Sequence, residues 1–407
     1  MSILRRFRGQ VAGTAGWSSA AILVSAVTGV ITARTLGPED RGALAIALTV
    51  GGLCVLMSAL GTNVAFRRHL PKNTANRRGF WRLTALLVPA TVVVLAGGFA
   101  AVSAMWGDRS EAWSIAVPFG AYGLALFVSN QFLDLLHALG LSSQASKVNA
   151  LGSFACMLFV LGLAFLGLGL SSIIWAYAGS VVVQIAIATV IVSSRGLERE
   201  TGPVGVRELI RDGPRLLGLN LGQALAFRSG TVVLGAISVP EQVGVYAVAT
   251  TPAGILRIPS NALSQVMFFR AASGTTSASI ARGLRRLFYI AVPLSAIGWL
   301  LAEPAILIVF GSDFDGAVWP FRVLLIAELA LIPFLVLSRV LAGMGGTWSV
   351  SVCGLVGVAV LVIGCLVLVP GSGAVGAATA STIAYGVMSA TSVFFYLRRL
   401  RQEDTDQ

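Results

Sequence analysis

Charged side chains are scarce in this sequence: they make up 11% of its 407 residues, whereas hydrophobic residues make up 56%. Soluble globular domains carry about 25% charged residues, so the composition excludes an ordinary soluble protein. Alternating apolar and polar residues of the kind that form a transmembrane barrel are also missing. The sequence is therefore typical of a helical protein that resides in a membrane.

Cysteine and histidine are equally rare, with four and two residues. The cysteines lie inside apolar runs without paired spacing, so we expect core residues rather than disulfides or metal ligands. They are Cys54, Cys156, Cys353 and Cys365. His69 and His137 are far apart in sequence and have no cysteine cluster near them. Because no nucleophile–base pair is visible either, we predict no metal site, no cofactor and no enzyme activity.

Long apolar runs are what the sequence has instead. A run of about 20 apolar residues is long enough to cross the hydrocarbon core as a helix, and the chain holds roughly twelve such runs, bounded by charge, glycine or proline. They lie at 11–34, 43–65, 80–106, 113–138, 146–168, 171–193, 215–237, 243–268, 285–310, 318–341, 348–369 and 374–397. The sequence therefore predicts an all-α polytopic membrane protein with about 12 transmembrane helices.

Basic residues are distributed unevenly over the segments between these runs. The net charge is +12, and arginine supplies nearly all of the positive charge. With the N-terminus in the cytoplasm, the outside segments hold only Arg34, Arg41, Arg109 and Arg322. Cytoplasmic loops carry the excess of positive charge in membrane proteins. We therefore predict a location in the cytoplasmic membrane, with both termini in the cytoplasm and an even number of spans.

The sequence contains an internal repeat. PEDRG (38–42) is followed by ALAIA between spans one and two, and PEQVG (240–244) is followed by VYAVA between spans seven and eight. The offset is close to half the chain, and an even number of spans per half makes the two halves parallel repeats. The predicted parts are an N-terminal six-helix lobe 1–194, a cytoplasmic linker 195–214, a C-terminal six-helix lobe 215–397 and a cytoplasmic tail 398–407.

Two arginines, Arg228 and Arg257, fall near the middle of spans seven and eight. A charged side chain at this depth costs about 2.5–3.5 kcal/mol to insert, so each needs a partner, a water-filled cavity or an anionic ligand. Further polar residues accompany each arginine, along one face of the helix in span eight and over a broader face in span seven. We predict that these side chains line a wet cavity in which the arginines attract phosphate. The predicted substrate-binding residues are Arg228, Arg257, Asn220, Gln223, Tyr246, Thr250 and Asn261.

Two other interpretations of the polar residues stay open. Serine, threonine and asparagine also join transmembrane helices to one another, and this applies equally to the hydroxyls of span one, which could otherwise bond to sugar. These are Ser18, Ser25, Thr28 and Thr32. Three acids, Asp134, Glu303 and Glu328, also fall within apolar runs. Glu328 is the deepest, and an ion pair between it and Arg228 or Arg257 would make the arginines structural.

Four stretches of the chain resemble a known family. They are ARTLGPEDRGALAIAL (33–48), EQVGVYAVATTPAGILRIPSNALSQVMFFR (241–270), EPAILIVFGSDFDGAV (303–318) and GAVGAATASTIAY (373–385). Each motif is loose, but their order and spacing are similar to those of the polysaccharide transporter family. That family belongs to the multidrug/oligosaccharidyl-lipid/polysaccharide flippase superfamily.

The resemblance implies a fold like that of the O-antigen flippases, with two six-helix lobes in a V that open alternately to each side of the membrane. It also implies polyprenyl-diphosphate-linked sugars as the substrate and a cavity lined by spans one, two, seven and eight. Family members often carry an acid shortly after the arginine of span seven. This chain has Ser229 and Gly230 there, which leaves any ion coupling through that acid in doubt.

The sequence thus favours a flippase for lipid-linked oligosaccharide in polysaccharide biosynthesis. Its expected partners are the polyprenyl-diphosphate-linked glycan, membrane lipids and polysaccharide-assembly proteins, with no nucleic acid. The alternative is an ion-coupled multidrug or cation antiporter of the related extrusion family, which would need buried carboxylates in the first spans. A glycan ligase or polymerase is the least favoured function, because such enzymes generally use a large external loop and the outer loops here are short.

Overall fold

The structure is a computed structural model that describes residues 2–61, 76–106, 112–167, 169–194, 222, 224–272 and 277–405. Throughout these ranges the chain is almost entirely helical, and no strand occurs in them. The helices are α1 (Ser2–Ser58), α2 (Asn76–Trp106), α3 (Ala112–Ala138), α4 (Ser142–Phe165), α5 (Leu170–Ser194), α6 (Ala224–Ile237), α7 (Pro240–Ala253), α8 (Arg257–Ala272), α9 (Ser277–Leu300), α10 (Ala302–Phe310), α11 (Val318–Gly343) and α12 (Thr347–Thr405).

The predicted all-α membrane architecture is confirmed. Seven helices of the described chain are long and apolar enough to cross a membrane, and a bent pair, α9 and α10, makes an eighth. α1 and α12 are each long enough for two spans, and each changes direction at one glycine, Gly37 (φ +71°) and Gly373 (φ +51°). Glycine adopts this left-handed backbone without the steric penalty that other residues incur. α6 is a shorter apolar helix, and residues 215–221 at the predicted start of span seven lie outside the described ranges.

The chain divides into two compact units, one of 1–36 with 46–218 and one of 37–45 with 219–407. The segment Gly37–Ala45, which contains the first repeat motif, thus belongs to the second unit. The predicted linker 195–214 lies outside the described residues, and the predicted lobe boundaries stay a prediction.

The first unit is held together by an apolar core between α2, α3, α4 and α5. Phe127, Leu135 and Leu136 on α3 are buried in it. A polar contact crosses the same unit, where the Ser129 hydroxyl donates to Oε1 of the buried Gln184 at 2.9 Å.

The hydroxyls of span one serve packing within the first unit. Ser18 bonds to Ser146 of α4 at 3.3 Å, and Ser25 approaches Ser153 of the same helix at 3.5 Å. The other two, Thr28 and Thr32, are buried and donate to carbonyl oxygens of their own helix. Small hydroxyl residues on two facing helices are typical of helix association in membranes. The helix-packing interpretation therefore describes Ser18 and Ser25, whereas the hydroxyls of Thr28 and Thr32 are satisfied within their own helix.

The second unit is built around α11, which is buried along most of its length. Pro333 interrupts this helix, because proline has no N–H and its ring clashes with the preceding turn. Ser389 of α12 fills the gap: its hydroxyl donates to the Ala330 carbonyl and accepts from the Phe334 amide at 3.2 Å.

All four cysteines of the chain are buried and unpaired, as expected for core residues.

The two repeat motifs interlock inside the second unit. A methyl group added at Gly42 would overlap the carbonyl group of Pro240 and lie 2.8 Å from the Gly244 nitrogen. A methyl group added at Gly244 would in the same way overlap the carbonyl group of Pro38. Each glycine thus admits the backbone of the other motif, which explains why the segment Gly37–Ala45 belongs to this unit.

The second motif also stabilises the break in α12. The Gln242 side-chain oxygen accepts the Ala374 amide at 3.0 Å, directly after Gly373. An amide left without a partner at a buried break costs about 1–3 kcal/mol. Gln242→Leu is therefore expected to lower the thermal unfolding midpoint of the purified protein by several degrees. Gln242→Glu retains the acceptor and is the matched control; equal losses in both variants would contradict the assignment.

Candidate functional site

Arg257 lies at a break in the middle of span eight. α7 ends at Ala253, one 3-10 turn covers Gly254–Leu256, and α8 begins at Arg257 itself. Pro252 and Pro259 flank the turn, and each removes one backbone donor from the helix. The sequence predicts one polar helical face along span eight; in the structure Tyr246 and Ser264 of this face are buried, whereas Asn261 is exposed.

The Arg257 guanidinium is paired with Glu328 of α11. Nε donates to both carboxylate oxygens, at 2.9 and 2.7 Å, and Nη2 bonds to Oε1. The Glu328 side chain is 2% exposed, whereas that of Arg257 is 24% exposed. The ion pair left open in the sequence analysis is thus formed by Arg257, and its cationic side is the more accessible one.

Two aromatic rings adjoin this pair. The face of Phe227 on α6 lies 4.6 Å from the Arg257 guanidinium carbon, a distance typical of a cation–π contact. The Tyr385 ring of α12 meets Phe227 edge-on, with centroids 6.0 Å apart, and is itself buried. Helices α6, α8, α11 and α12 therefore converge on one charged pair within the second unit.

Tyr246 belongs to the same group of side chains. It is buried, its hydroxyl lies 3.0 Å from the Ser381 hydroxyl of α12, and it is near enough to Arg257 and Glu328 to interact with their charges. A methyl group added at Gly230 would lie 2.9 Å from the Tyr246 hydroxyl. The Tyr246 hydroxyl therefore occupies the space directly beside Gly230 of α6.

The other predicted binding residues lie in different surroundings. Arg228 is half-buried on α6, next to Phe227. Thr250 donates its hydroxyl to the Ala247 carbonyl of its own helix at 2.9 Å, and Asn261 is exposed. Asn220 and Gln223 lie outside the described residues. The structure thus brings Arg257 and Tyr246 together and leaves Asn261 on an exposed face.

Three residues beside Arg257 or Tyr246 are not identified from the sequence: Phe227, Ser381 and Tyr385. Phe227 directly precedes Arg228 and shows no pattern of its own. The two α12 residues are more than a hundred positions away in the chain. Only a weak signal existed for Ser381 and Tyr385, because both lie inside the resembling stretch GAVGAATASTIAY (373–385).

The remaining acids lie away from this group. Asp134 is buried in the first unit on α3, and Glu303 is exposed in the first turn of α10. Within the described ranges, no three His, Cys, Asp or Glu side chains form a group that could hold a metal ion. The chemistry that this part of the chain offers is therefore a guanidinium neutralised by its carboxylate partner and bordered by aromatic rings.

Comparisons with known proteins identify a family and a shared fold. Residues 14–268, more than half of the chain, match the family described as polysaccharide biosynthesis protein. No curated protein sequence matches the chain. An inward-facing multidrug resistance MATE family transporter of the MOP superfamily is similar in structure, with a TM-score of 0.70, 16% identity, and coverage of 97% of this chain and 96% of the other.

Two further solved structures are similar. The lipid II flippase MurJ in an inward closed conformation has a TM-score of 0.77 at 12% identity and covers 93% of this chain and 87% of its own. The eukaryotic MATE transporter AtDTX14 has a TM-score of 0.64 at 14% identity and covers 96% of each chain. Identities this low establish a shared fold alone, and they confirm the predicted 12-helix fold of the superfamily.

Proposed function

Because the chain belongs to the polysaccharide biosynthesis protein family, we propose that it is a flippase that moves polyprenyl-diphosphate-linked oligosaccharide across the cytoplasmic membrane for the synthesis of cell-surface polysaccharide. One observation carries the proposal. The positively charged guanidinium of Arg257 lies next to the 3-10 turn of span eight, and its side chain is 24% exposed. The protein would act by alternating access, with both termini in the cytoplasm, and would catalyse no covalent chemistry.

Substrate binding takes the form of a partner exchange at Arg257. The guanidinium donates hydrogen bonds from Nε and Nη2 to the Glu328 carboxylate. A diphosphate presents oxygen pairs of the same geometry with a higher negative charge. The Phe227 ring contacts the guanidinium face and keeps it oriented whichever anion occupies its edge. In this proposal the sugars lie in the aqueous cavity and the lipid tail stays in the bilayer.

Arg228 and Glu328 complete the proposed mechanism. Arg228 follows Phe227 directly on α6, and we assign it a second contact with the diphosphate. When the diphosphate replaces Glu328 at Arg257, that carboxylate is left without its partner at a depth where unpaired charge is costly. A proton or small cation is therefore expected to accompany the substrate, and Glu328 would take the place of the acid that family members often carry after the span-seven arginine.

Deletion of the gene tests the proposed function against the antiporter alternative. We expect surface polysaccharide to disappear and its lipid-linked precursor to accumulate in the cell, as measured by mass spectrometry of extracted lipids. A plasmid copy should restore both. Unchanged surface polysaccharide together with greater susceptibility to cationic drugs would contradict the proposal and favour an antiporter with the fold of the MATE transporters.

A further inference from the structure

A groove on the second unit combines apolar walls with two arginines. It runs between α8 and α9, has a volume of about 440 Å³ and is called here the α8–α9 groove. Leu263, Val266 and Met267 form its α8 side, and Arg282 and Arg286 stand on its α9 side. Ligand sites in proteins commonly have volumes of about 300–1,000 Å³, so this groove is large enough for part of a lipid.

The charges of the groove lie at one end of it. Arg282 and Arg286 are exposed and four residues apart, so they stand above one another on the same helix face. Nε of Arg282 donates to the Ala278 carbonyl at 3.3 Å, and this contact uses neither terminal nitrogen of the guanidinium. No carboxylate is among the described residues that line the groove. The arrangement is complementary to a phosphate group.

The apolar part continues from the arginines towards the middle of the membrane. Gly283 and Leu287 form the floor, and Ile290, 60% exposed, forms the deep end. Eight residues separate Arg282 from Ile290, which is about 12 Å along the helix at ~1.5 Å per residue. A hydrocarbon chain lying there would have its phosphate at the level of the arginines. The positive-inside rule places this end of α9 at the cytoplasmic face.

We propose that the α8–α9 groove binds one anionic glycerophospholipid of the cytoplasmic leaflet, with its phosphate on Arg282 and Arg286 and one acyl chain along Leu263, Met267 and Gly283. Guanidinium groups form strong paired hydrogen bonds to phosphate, and basic pockets between transmembrane helices bind anionic lipid headgroups on this side of the membrane. Arg257 does not line this groove, although Pro259 does, and the proposal does not rest on the proposed flippase function.

Arg285 provides a matched control on the same helix. It carries the same charge, is exposed at the same level, and is turned by roughly 100° from Arg286, so it does not line the groove. Gly283 provides a second, independent variant. A side chain there would enter the groove against the flexible ends of Met267 and Leu263, at 2.8 and 3.5 Å from its first carbon. Gly283→Leu therefore fills the acyl position and keeps both arginines.

The test is native mass spectrometry of the purified full chain with phosphatidylglycerol and phosphatidylcholine added in equal amounts. We expect phosphatidylglycerol to be retained preferentially, and Arg282→Gln with Arg286→Gln or Gly283→Leu alone to weaken its binding by about tenfold, which is ~1.4 kcal/mol. The affinity of Arg285→Gln for phosphatidylglycerol should stay within about twofold of the wild-type affinity, which is ~0.4 kcal/mol. Thermal unfolding of each variant establishes that it is folded.

Three results would overturn the site. If Arg285→Gln lost as much binding as the double variant Arg282→Gln with Arg286→Gln, the effect would be a general attraction between a basic surface and anionic lipid. If Gly283→Leu bound phosphatidylglycerol as well as the wild type does, the acyl chain would not lie in the groove. A marked preference for a polyprenyl phosphate over phosphatidylglycerol in the same experiment would make the groove a docking position for the proposed substrate instead of a phospholipid site.

Discussion

Replacing Arg257 with alanine is expected to abolish glycan export while the protein still inserts into the membrane. Charged hydrogen bonds contribute about 1.5–3 kcal/mol each, and each ~1.4 kcal/mol changes a rate or affinity tenfold. Loss of two such bonds to the diphosphate therefore lowers export by about a hundredfold or more. Export is measured as surface polysaccharide per unit of protein detected in the membrane, and normal export would reject the role.

The single variant also removes the partner of a buried carboxylate. Breaking a buried ion pair in this way costs about 3–5 kcal/mol of stability, so Arg257→Ala could lose export through misfolding. The double exchange Arg257→Glu with Glu328→Arg separates the two effects, because it retains a pair of opposite charges. We expect this variant to be folded and inactive. A folded double exchange with normal export would show that the pair is structural only.

Alanine at Gly42 or Gly244 is expected to lower the stability of the protein. Each added methyl group would overlap a backbone carbonyl of the other repeat motif, and backbone cannot rotate away as a side chain can. Overpacking costs about 1–3 kcal/mol where side chains can adjust, so we expect at least that here. The thermal unfolding midpoint and the yield of monodisperse protein in detergent should both fall in each variant.

Gly97→Ala is the matched control for these two variants. Gly97 lies inside a membrane helix, and an added methyl group there meets no atom within 4 Å. Alanine favours helix over glycine by roughly 0.5–1 kcal/mol, so this variant should be unchanged or slightly more stable. If Gly42→Ala and Gly244→Ala were as stable as Gly97→Ala, the close backbone contact assigned to the two repeat motifs would be wrong. Because both glycines form one contact, the double variant should lose less than the sum of the single losses.

The helices and their order could be predicted because apolar runs report burial in lipid directly. The positions of Arg228 and Arg257 were visible for the same reason, since a charge inside such a run is conspicuous. The choice of Arg257 as the partner of Glu328 was not available from the sequence. The two residues are 71 positions apart, and helical periodicity gives the face of a residue but not the neighbouring helix that it meets.

The interlock of the repeat motifs shows a similar limit. PEDRG and PEQVG were recognised as a repeat, which predicted equivalent positions in two halves. A shared motif does not reveal that the two copies contact each other through Gly42 and Gly244. The break of span eight at Gly254–Leu256 was also missed in detail, because Pro252 and Pro259 indicate an interruption without fixing the residue at which the second segment begins.

The most direct test of the account is flipping by the purified protein in vesicles. A polyprenyl-diphosphate-linked oligosaccharide is placed in both leaflets, and a membrane-impermeant glycosidase reports the fraction that reaches the outer surface with time. We predict that the wild type exposes the inner-leaflet pool and that the folded double exchange at Arg257 and Glu328 does not. Equal exposure by both proteins, or no exposure by the wild type, would contradict a flippase that binds its substrate through Arg257.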